Sequence, residues 1–374
     1  MYERYTARMT MRLPTIVREA LLNVRSGTAR AGLFALVLGA VAAVLGGSDL
    51  VAIASIEHEA DRFRKDGGST IIYRFPQGID GAACDGLRSV DGVAAAGAVR
   101  QRERGYTPAA LPREPIPTFD VSPAFGGFTA LRDEASGAGV LISEDVAETT
   151  GASVGTVLHL TDGRPRVTGV FSYPNDGRRP GYGYAIFVPS DVLAPYDECW
   201  VEAWPVSDRL LAVMPTALVG AGSAPTASSD DTRGPQLQQL NASHGSTFDG
   251  AVAFETRVTR MSTAVLGLVG FVLGAVSVGR RKLELASGRH AGVSATASSL
   301  QLVLETLVWA AMGALVALSL LSLVIATGGS SSPDVLCGVA ARVLIVTLMA
   351  PALGAFARAA TIREAHLFAY FKAR

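Results

Sequence analysis

Hydrophobic residues are spread unevenly along this chain, and four blocks hold most of the excess. The blocks span residues 31–56, 261–279, 300–326 and 336–357. Each is close to the ~20 residues needed to cross a ~30 Å hydrocarbon core. Residues 57–260, between the first two blocks, are ordinary in polarity and numerous enough for one globular domain. The pattern predicts an integral membrane protein with four α-helical transmembrane spans in a one-plus-three layout. An α+β domain on helical stalks separates spans one and two.

Finer periodicity places elements around these blocks. Pro14 sits where a helix accepts proline, at the first turn. Leu13, Ile16, Val17, Ala20, Leu21 and Val24 then recur at three- and four-residue steps, opposite Arg18, Glu19, Asn23 and Arg25. This predicts an amphipathic elbow helix lying in the membrane interface ahead of span one, with Gly27 closing it; a soluble helix is the alternative. Ile56, Ala60 and Phe63 keep the helical period, and Glu57, Asp61 and Lys65 are spaced for pairing four apart. Span one is therefore expected to continue as a stalk up to Gly67-Gly68, and a second stalk is expected over 252–260. Strands are expected over 71–73, 154–160, 166–171 and 184–188, with a hairpin turn at Thr161-Asp162-Gly163-Arg164. Residues 85–90 suggest a short helix and 144–150 another. The Pro-rich stretch 108–123 reads as a connector, and 221–250 reads as a mobile loop. Ala35, Gly39, Ala43 and Gly47 in span one, and Gly270 with Gly274 in span two, form small-xxx-small ladders that allow close helix approach in lipid. Chance in an Ala- and Gly-rich chain is the alternative explanation of such ladders.

Composition adds to this picture through charge. A mean hydropathy of +0.31 is too apolar for an ordinary soluble protein, and the net charge of zero conceals a split. The N-terminal flank, the loop 280–299 and the tail 358–374 together hold 14 basic and four acidic residues, a charge of +10. The intervening domain holds 18 basic and 26 acidic residues, a charge of −8. Short loops rich in Lys and Arg stay in the cytoplasm. Both termini and the loop 280–299 are therefore expected inside, with the large domain extracytoplasmic and the short loop 327–335 outside. The first block begins about thirty residues in and outlasts a signal-peptide core, so it reads as an uncleaved anchor. Arginine outnumbers lysine thirty to three beside abundant Ala and Gly, which fits a GC-rich bacterial genome.

Candidate chemistry is sparse. The three lysines, Lys65, Lys282 and Lys372, are followed by Asp66, Leu283 and Ala373, so the sequence has no Walker A loop. Gly151-Ala-Ser153-Val-Gly155 matches a nucleophile elbow, but its helix precedes the serine and its strand follows, the reverse of what that chemistry requires. The five histidines are scattered and form no metal-binding spacing. Cys84 and Cys199 both fall in the external domain, where a disulfide persists, while Cys337 sits at a membrane boundary. A Cys84–Cys199 bridge is the expectation, and two separate buried thiols the alternative. Charges inside spans are functional suspects. Glu305 and Arg342 lie in spans three and four near opposite ends, too far apart to pair, and Asp49 lies near the outer end of span one. All three are expected to snorkel to the nearer interface.

The layout resembles the FtsX/MacB-type permease family of ABC transporters. The segment from Gly139 to Glu148, followed by Val154-Gly155 and the strand pair through Val170, is similar to that family's periplasmic core. Glu284, Leu285, Ala286, Arg289 and Gly292 fit its loop after span two, and Leu304-Glu305 with Gly313 fit the start of its third span. Ser287-Gly288 departs from the bulky aliphatics usual there, which puts the helicity of the loop in question. The resemblance implies a non-catalytic membrane subunit, acting as a homodimer or heterodimer and recruiting a separate ABC-type ATPase that binds the ATP. It assigns Arg280, Arg281, Lys282, Glu284, Arg289 and the elbow helix to ATPase coupling, and the stalks to mechanotransmission. It implies no cofactor on this chain and no nucleic acid; membrane lipid surrounds it, and an external substrate or cell-wall partner is conceivable. A membrane-anchored receptor or regulator, whose external domain binds a ligand or activates a cell-wall enzyme, is the reading from another class.

Overall fold

The computed structural model describes residues 13–26, 30–109, 112–131, 139–191, 194–220, 234–329 and 332–362. In chain order, helices α1 (Leu13–Arg25) and α2 (Ala31–Lys65) lead into strand β1 (Thr70–Ile79), helix α3 (Gly81–Gly86) and strand β2 (Val93–Gln101). Next come β3 (Thr118–Val121), β4 (Val140–Ser143), α4 (Glu144–Thr150), β5 (Val167–Phe171), β6 (Ile186–Pro189) and β7 (Tyr196–Ala203). The chain continues through α5 (Asp208–Val213), β8 (Gln236–Gln239), α6 (Gly250–Thr256), α7 (Ser262–Gly279) and α8 (Lys282–His290), then α9 (Ala295–Thr327) and α10 (Pro333–Thr361). It divides into a helical unit, Met1–His58 with Gly250–Arg374, and a sheet unit, Glu59–Asp249.

Four helices of the helical unit are long and apolar enough to cross a membrane: α2, α9, α10 and the segment Val258–Gly279 that includes α7. Their shared core is built on Leu38, Ala42, Trp309, Ala317, Leu321 and Val343, with Phe34 packed on Trp309 at 5.4 Å. Leu36, Leu268, Leu315 and Leu353 remain more than half exposed, as expected of side chains that face lipid tails. The glycine ladders are used inside the chain. A Cβ on Gly39 would stand 2.9 Å from the carbonyl oxygen of Gly313, and one on Gly313 would stand 2.8 Å from that of Ala35. Gly270 and Gly274 receive Pro351 of α10, and Gly354 receives the backbone of Phe271. On α2 the close approach continues at Gly46, against Leu321 and Val343, and not at Gly47.

The eight strands form one sheet in the order β5-β4-β6-β3-β2-β7-β1-β8. Pairs β3–β6 and β4–β5 are parallel and the others antiparallel. Alternation along β7 sends Trp200 to one face and Cys199 and Val201 to the other. The first face is aromatic, built from Phe119, Phe125, Phe128, Phe171, Phe187 and Trp200. The second is covered by α3 and α5 around Leu87, Leu210 and Met214. Asp80 caps α3 by accepting from the amides of Ala82 and Ala83.

Several local expectations need correction. The Pro-rich connector contains β3, and the loop 221–250 contains β8, which pairs with β1; residues 221–233 of that loop lie outside the described residues, as do Gly27 and most of the tail. Residues 154–160 carry only isolated bridges, Val157 to Arg166 and Leu160 to Gly163, so the hairpin closes without a regular first strand. The short helix expected at 85–90 begins earlier, as α3 at Gly81–Gly86, and runs on into a 3-10 turn at Leu87–Ser89. The second stalk is not one helix, because Arg257 is extended at ψ 134° between α6 and the turn Val258–Met261.

Candidate functional site

At one end of the helical unit, four helices meet around a buried carboxylate. Helix α7 stops at Gly279, and Arg280 and Arg281 turn the chain into α8. Ala286 of α8 is fully buried among Val278, Leu302, Ala355, Ala359 and Ile362, which seats α8 across the ends of α7, α9 and α10. That burial outweighs the weak helix propensity of Ser287-Gly288, and α8 runs through both. Gly292, at φ 98°, makes the turn out of α8, and Ser294 caps α9 by accepting from the Ala297 amide.

Glu305 of α9, only 3% exposed, is the centre of this arrangement. One carboxylate oxygen accepts from Arg281 at 2.5 Å, and the other accepts from Asn23 of α1 at 2.6 Å and Gln301 at 3.3 Å. The Arg281 guanidinium also grips both oxygens of Glu284, at 2.7 and 3.0 Å, in a bidentate pair. That bond lowers the Glu284 pKa below the ordinary carboxylate range, and it raises that of Arg281. The Glu284 contribution is therefore present at neutral pH and is lost as pH falls through the depressed value. It is small, because Glu284 is largely solvated. Arg289 donates to the carbonyls of Ala359 and Ile362, closing the C-terminal end of α10, where a cation also meets the helix dipole favourably.

The five predicted coupling residues thus separate into two groups. Arg281 and Arg289 are structural ties, whereas Arg280 and Glu284 are exposed and Lys282 is half-buried. Glu305 does not snorkel, since three side chains satisfy it within the protein. Arg342 is exposed on α10 and is not among the partners of Glu305. Asp49 also fails to snorkel. It is 4% exposed and accepts from Arg257 at 2.9 Å and Thr259 at 2.7 Å. The apolar stripe of α1 divides: Ile16 and Ala20 are buried, whereas Val17, Leu21 and Leu22 stay exposed beside Arg18 and Arg25. An open groove along α1 runs between these residues.

In the sheet unit, Cys84 of α3 and Cys199 of β7 are joined by a disulfide, whereas Cys337, on α10 of the helical unit, is free and exposed. Glu198 is buried and accepts from Tyr182 at 2.9 Å and Trp200 at 3.0 Å, with Arg179 at 2.7 Å. Burial raises the Tyr182 pKa, which keeps its hydroxyl a donor. Ser153 is exposed in a turn and bonded to Thr156, so the nucleophile motif is an ordinary glycine turn. Asn23, Arg257 and Glu198 carried no sequence signal, because each partner lies far away along the chain or is a common core residue.

No family model and no curated protein matches the chain. Among solved structures, it is similar to the periplasmic region of MacB from Actinobacillus actinomycetemcomitans, at 9% identity and a TM-score of 0.35, over 49% of this chain and 94% of that one. It is also similar to the extracellular domain of the ABC-type transporter YknZ from Gram-positive bacteria, at 14% identity and a TM-score of 0.27, over 38% and 88% of the two chains.

Proposed function

We propose that this chain is the membrane subunit of an ABC-type transporter, coupling ATP hydrolysis by a separate chain to motion of its own sheet unit. The observation that carries the reading is the joining of α1, α8 and α9 at Glu305. The elbow helix and the chain between spans two and three both carry exposed basic side chains, on a sequence that has no phosphate-binding loop. Arg18 and Arg25 are exposed on α1 together with Leu21 and Leu22, and Arg280 and His290 are exposed at the two ends of α8. Basic and apolar groups around a fixed centre suit the docking of a soluble subunit, in which rim charges set encounter and register. The split of charge between flanks and domain supports a cytoplasmic location for this surface and an extracytoplasmic one for the sheet unit. Assembly as a homodimer or heterodimer belongs to the same proposal.

Orientation is testable with single cysteines at Glu103 and Ser287 in a Cys337→Ser background. A membrane-impermeant maleimide is expected to label position 103 in intact cells, and position 287 only after permeabilisation. Labelling of 287 from outside overturns the topology.

The coupling surface is tested by exposed side chains, since Arg281 and Arg289 hold the helices together. Arg280→Gln with His290→Ala keeps three basic residues in the loop, so span two inserts normally. Hydrolysis by an ATP-binding chain captured from detergent extracts with the full-length protein is expected to lose roughly threefold to tenfold of its stimulation, the scale of rim-charge effects. Thermal stability is expected to stay unchanged. Capture of no ATP-hydrolysing chain, or full stimulation by the variant, counts against the surface.

A further inference from the structure

The last turn of α2 ends at a glycine pair, yet the end of the helix is held firmly. Gly67, at φ 89°, adopts the left-handed conformation just past the helix, and Gly68 donates to the carbonyl of Phe63 at 2.8 Å. Asp66 and Gly67 donate to the carbonyls of Arg62 and Arg64. The next two carbonyls are taken by side chains from remote parts of the sheet unit. Arg178 donates to Lys65 across 113 residues of sequence at 3.0 Å, and Asn241 donates to Asp66 across 175 residues at 2.9 Å.

Arg178 is built into the sheet unit on its other sides. Its side chain is 1% exposed, pairs with Asp176 at 3.1 Å, and donates to the Ala130 carbonyl at 2.5 Å. Asn241 is fully buried and accepts from the amide and hydroxyl of Ser243. On the same helix end, the Phe63 ring packs against Trp204 and Phe248 at about 6 Å. Beyond the glycines, Leu240 donates to the Thr70 carbonyl, so both sides of the pair are fastened to the same segment.

We infer that Arg178 and Asn241 form a latch that turns the Gly67-Gly68 hinge into a fixed joint, making Arg178 a positioning residue for transmission of motion along α2. This rests on the transporter reading above. A tether needs no such joint, because two glycines alone leave a flexible link. A lever does, because a free hinge dissipates any displacement of the helix. The planar guanidinium reaches Lys65, Ala130 and Asp176 together, which the point charge of a lysine cannot do.

Two variants test the latch in the full-length protein. Arg178→Lys keeps the charge and loses the fork. A Gly-Ser insertion between Lys65 and Asp66 leaves Arg178 and its sheet contacts intact and withdraws the helix end. In a Cys337→Ser background, electron-spin distances between labels at Glu59→Cys and Glu103→Cys read the joint without any ATPase. The distribution is expected to broaden at least twofold in both variants. With the captured ATPase present, the ATP-dependent change at a fluorophore on position 103 is expected to fall at least threefold, while hydrolysis stays within twofold of the wild type. Retention of the Cys84–Cys199 bond and of the near-ultraviolet aromatic signal checks folding. Wild-type width and response in the insertion variant overturn the latch. A wild type that shows a narrow distribution but no ATP-dependent change overturns the transporter reading, and with it the transmission role, while leaving the joint itself established.

Discussion

Glu305→Ala is expected to destabilise the helical unit by about 3 kcal/mol, the low end of the cost of breaking a buried ion pair, because Arg281 keeps its bidentate pair with Glu284. The substitution leaves one nitrogen of the Arg281 guanidinium, whose side chain is 12% exposed, without its acceptor. It also removes the acceptor from Asn23 and Gln301. Arg281→Met strands the carboxylate instead and is expected to cost a similar amount. The double variant Glu305→Met with Arg281→Met removes both charges and is expected to recover most of the loss, since an apolar pair of similar volume often replaces a buried ion pair without penalty. Glu305→Gln retains an acceptor for Asn23 but presents an amide to Arg281, and should fall between. Unfolding by SDS titration from mild detergent measures all four proteins. A loss below about 1 kcal/mol for Glu305→Ala would place the pair among solvent-screened surface bridges and remove the central tie from the proposed coupling surface.

The consequence for function follows from which elements that pair joins. Asn23 and Glu305 are separated by 282 residues, so only the folded helical unit brings the elbow helix to span three. Releasing Glu305 breaks the tie it makes between Asn23 of α1 and Arg281 ahead of α8, while leaving the exposed charges of the proposed docking surface in place. Loss of partner stimulation in Glu305→Ala at temperatures where the protein stays folded would therefore separate the fixing of the surface from its charge.

What the sequence made legible, and what it hid, divides along range of interaction. The four spans were readable because a membrane-crossing helix needs a long apolar run whatever it packs against, and the helices exceed the runs only by polar turns at their ends. Helix α4 was readable from Ser143 and the acidic first turn that follows it, a local capping signal. Strand β8, by contrast, reads Gln-Leu-Gln-Gln, with little alternation to mark it; the edge of β1 supplies the pairing that defines it. Strand β3 was masked by prolines on both sides, though all four of its residues are buried. The intramembrane carboxylates were misjudged for the same reason. Asp49 and Arg257 are 208 residues apart, and nothing local marks Arg257 as a partner. Snorkelling is the default only when no partner exists, and partners of this kind appear only with the fold.

Removing the Cys84–Cys199 bond is expected to cost the sheet unit roughly 2–5 kcal/mol of stability. The two cysteines are 115 residues apart, and loop-closure entropy for a loop of that size sets an upper value of about 5 kcal/mol. The bond ties α3 to the middle of the sheet, where Cys199 sits opposite Tyr73 on one side and Ala98 on the other. Both sulfurs are fully buried, so Cys84→Ala with Cys199→Ala removes the cross-link without stranding a hydroxyl in the core. Urea unfolding followed by core tryptophan fluorescence, with and without reductant, is expected to show the wild type falling to the variant's midpoint on reduction and the variant unmoved. Alkylation of the urea-denatured, unreduced protein should modify Cys337 alone. Modification of all three cysteines would show two separate buried thiols and overturn the bridge. The same measurement on protein from cells also reads compartment, because a structural disulfide persists outside the reducing cytosol. A bonded pair in freshly isolated membranes, together with labelling of position 103 from outside, would fix the sheet unit beyond the membrane by two independent chemistries.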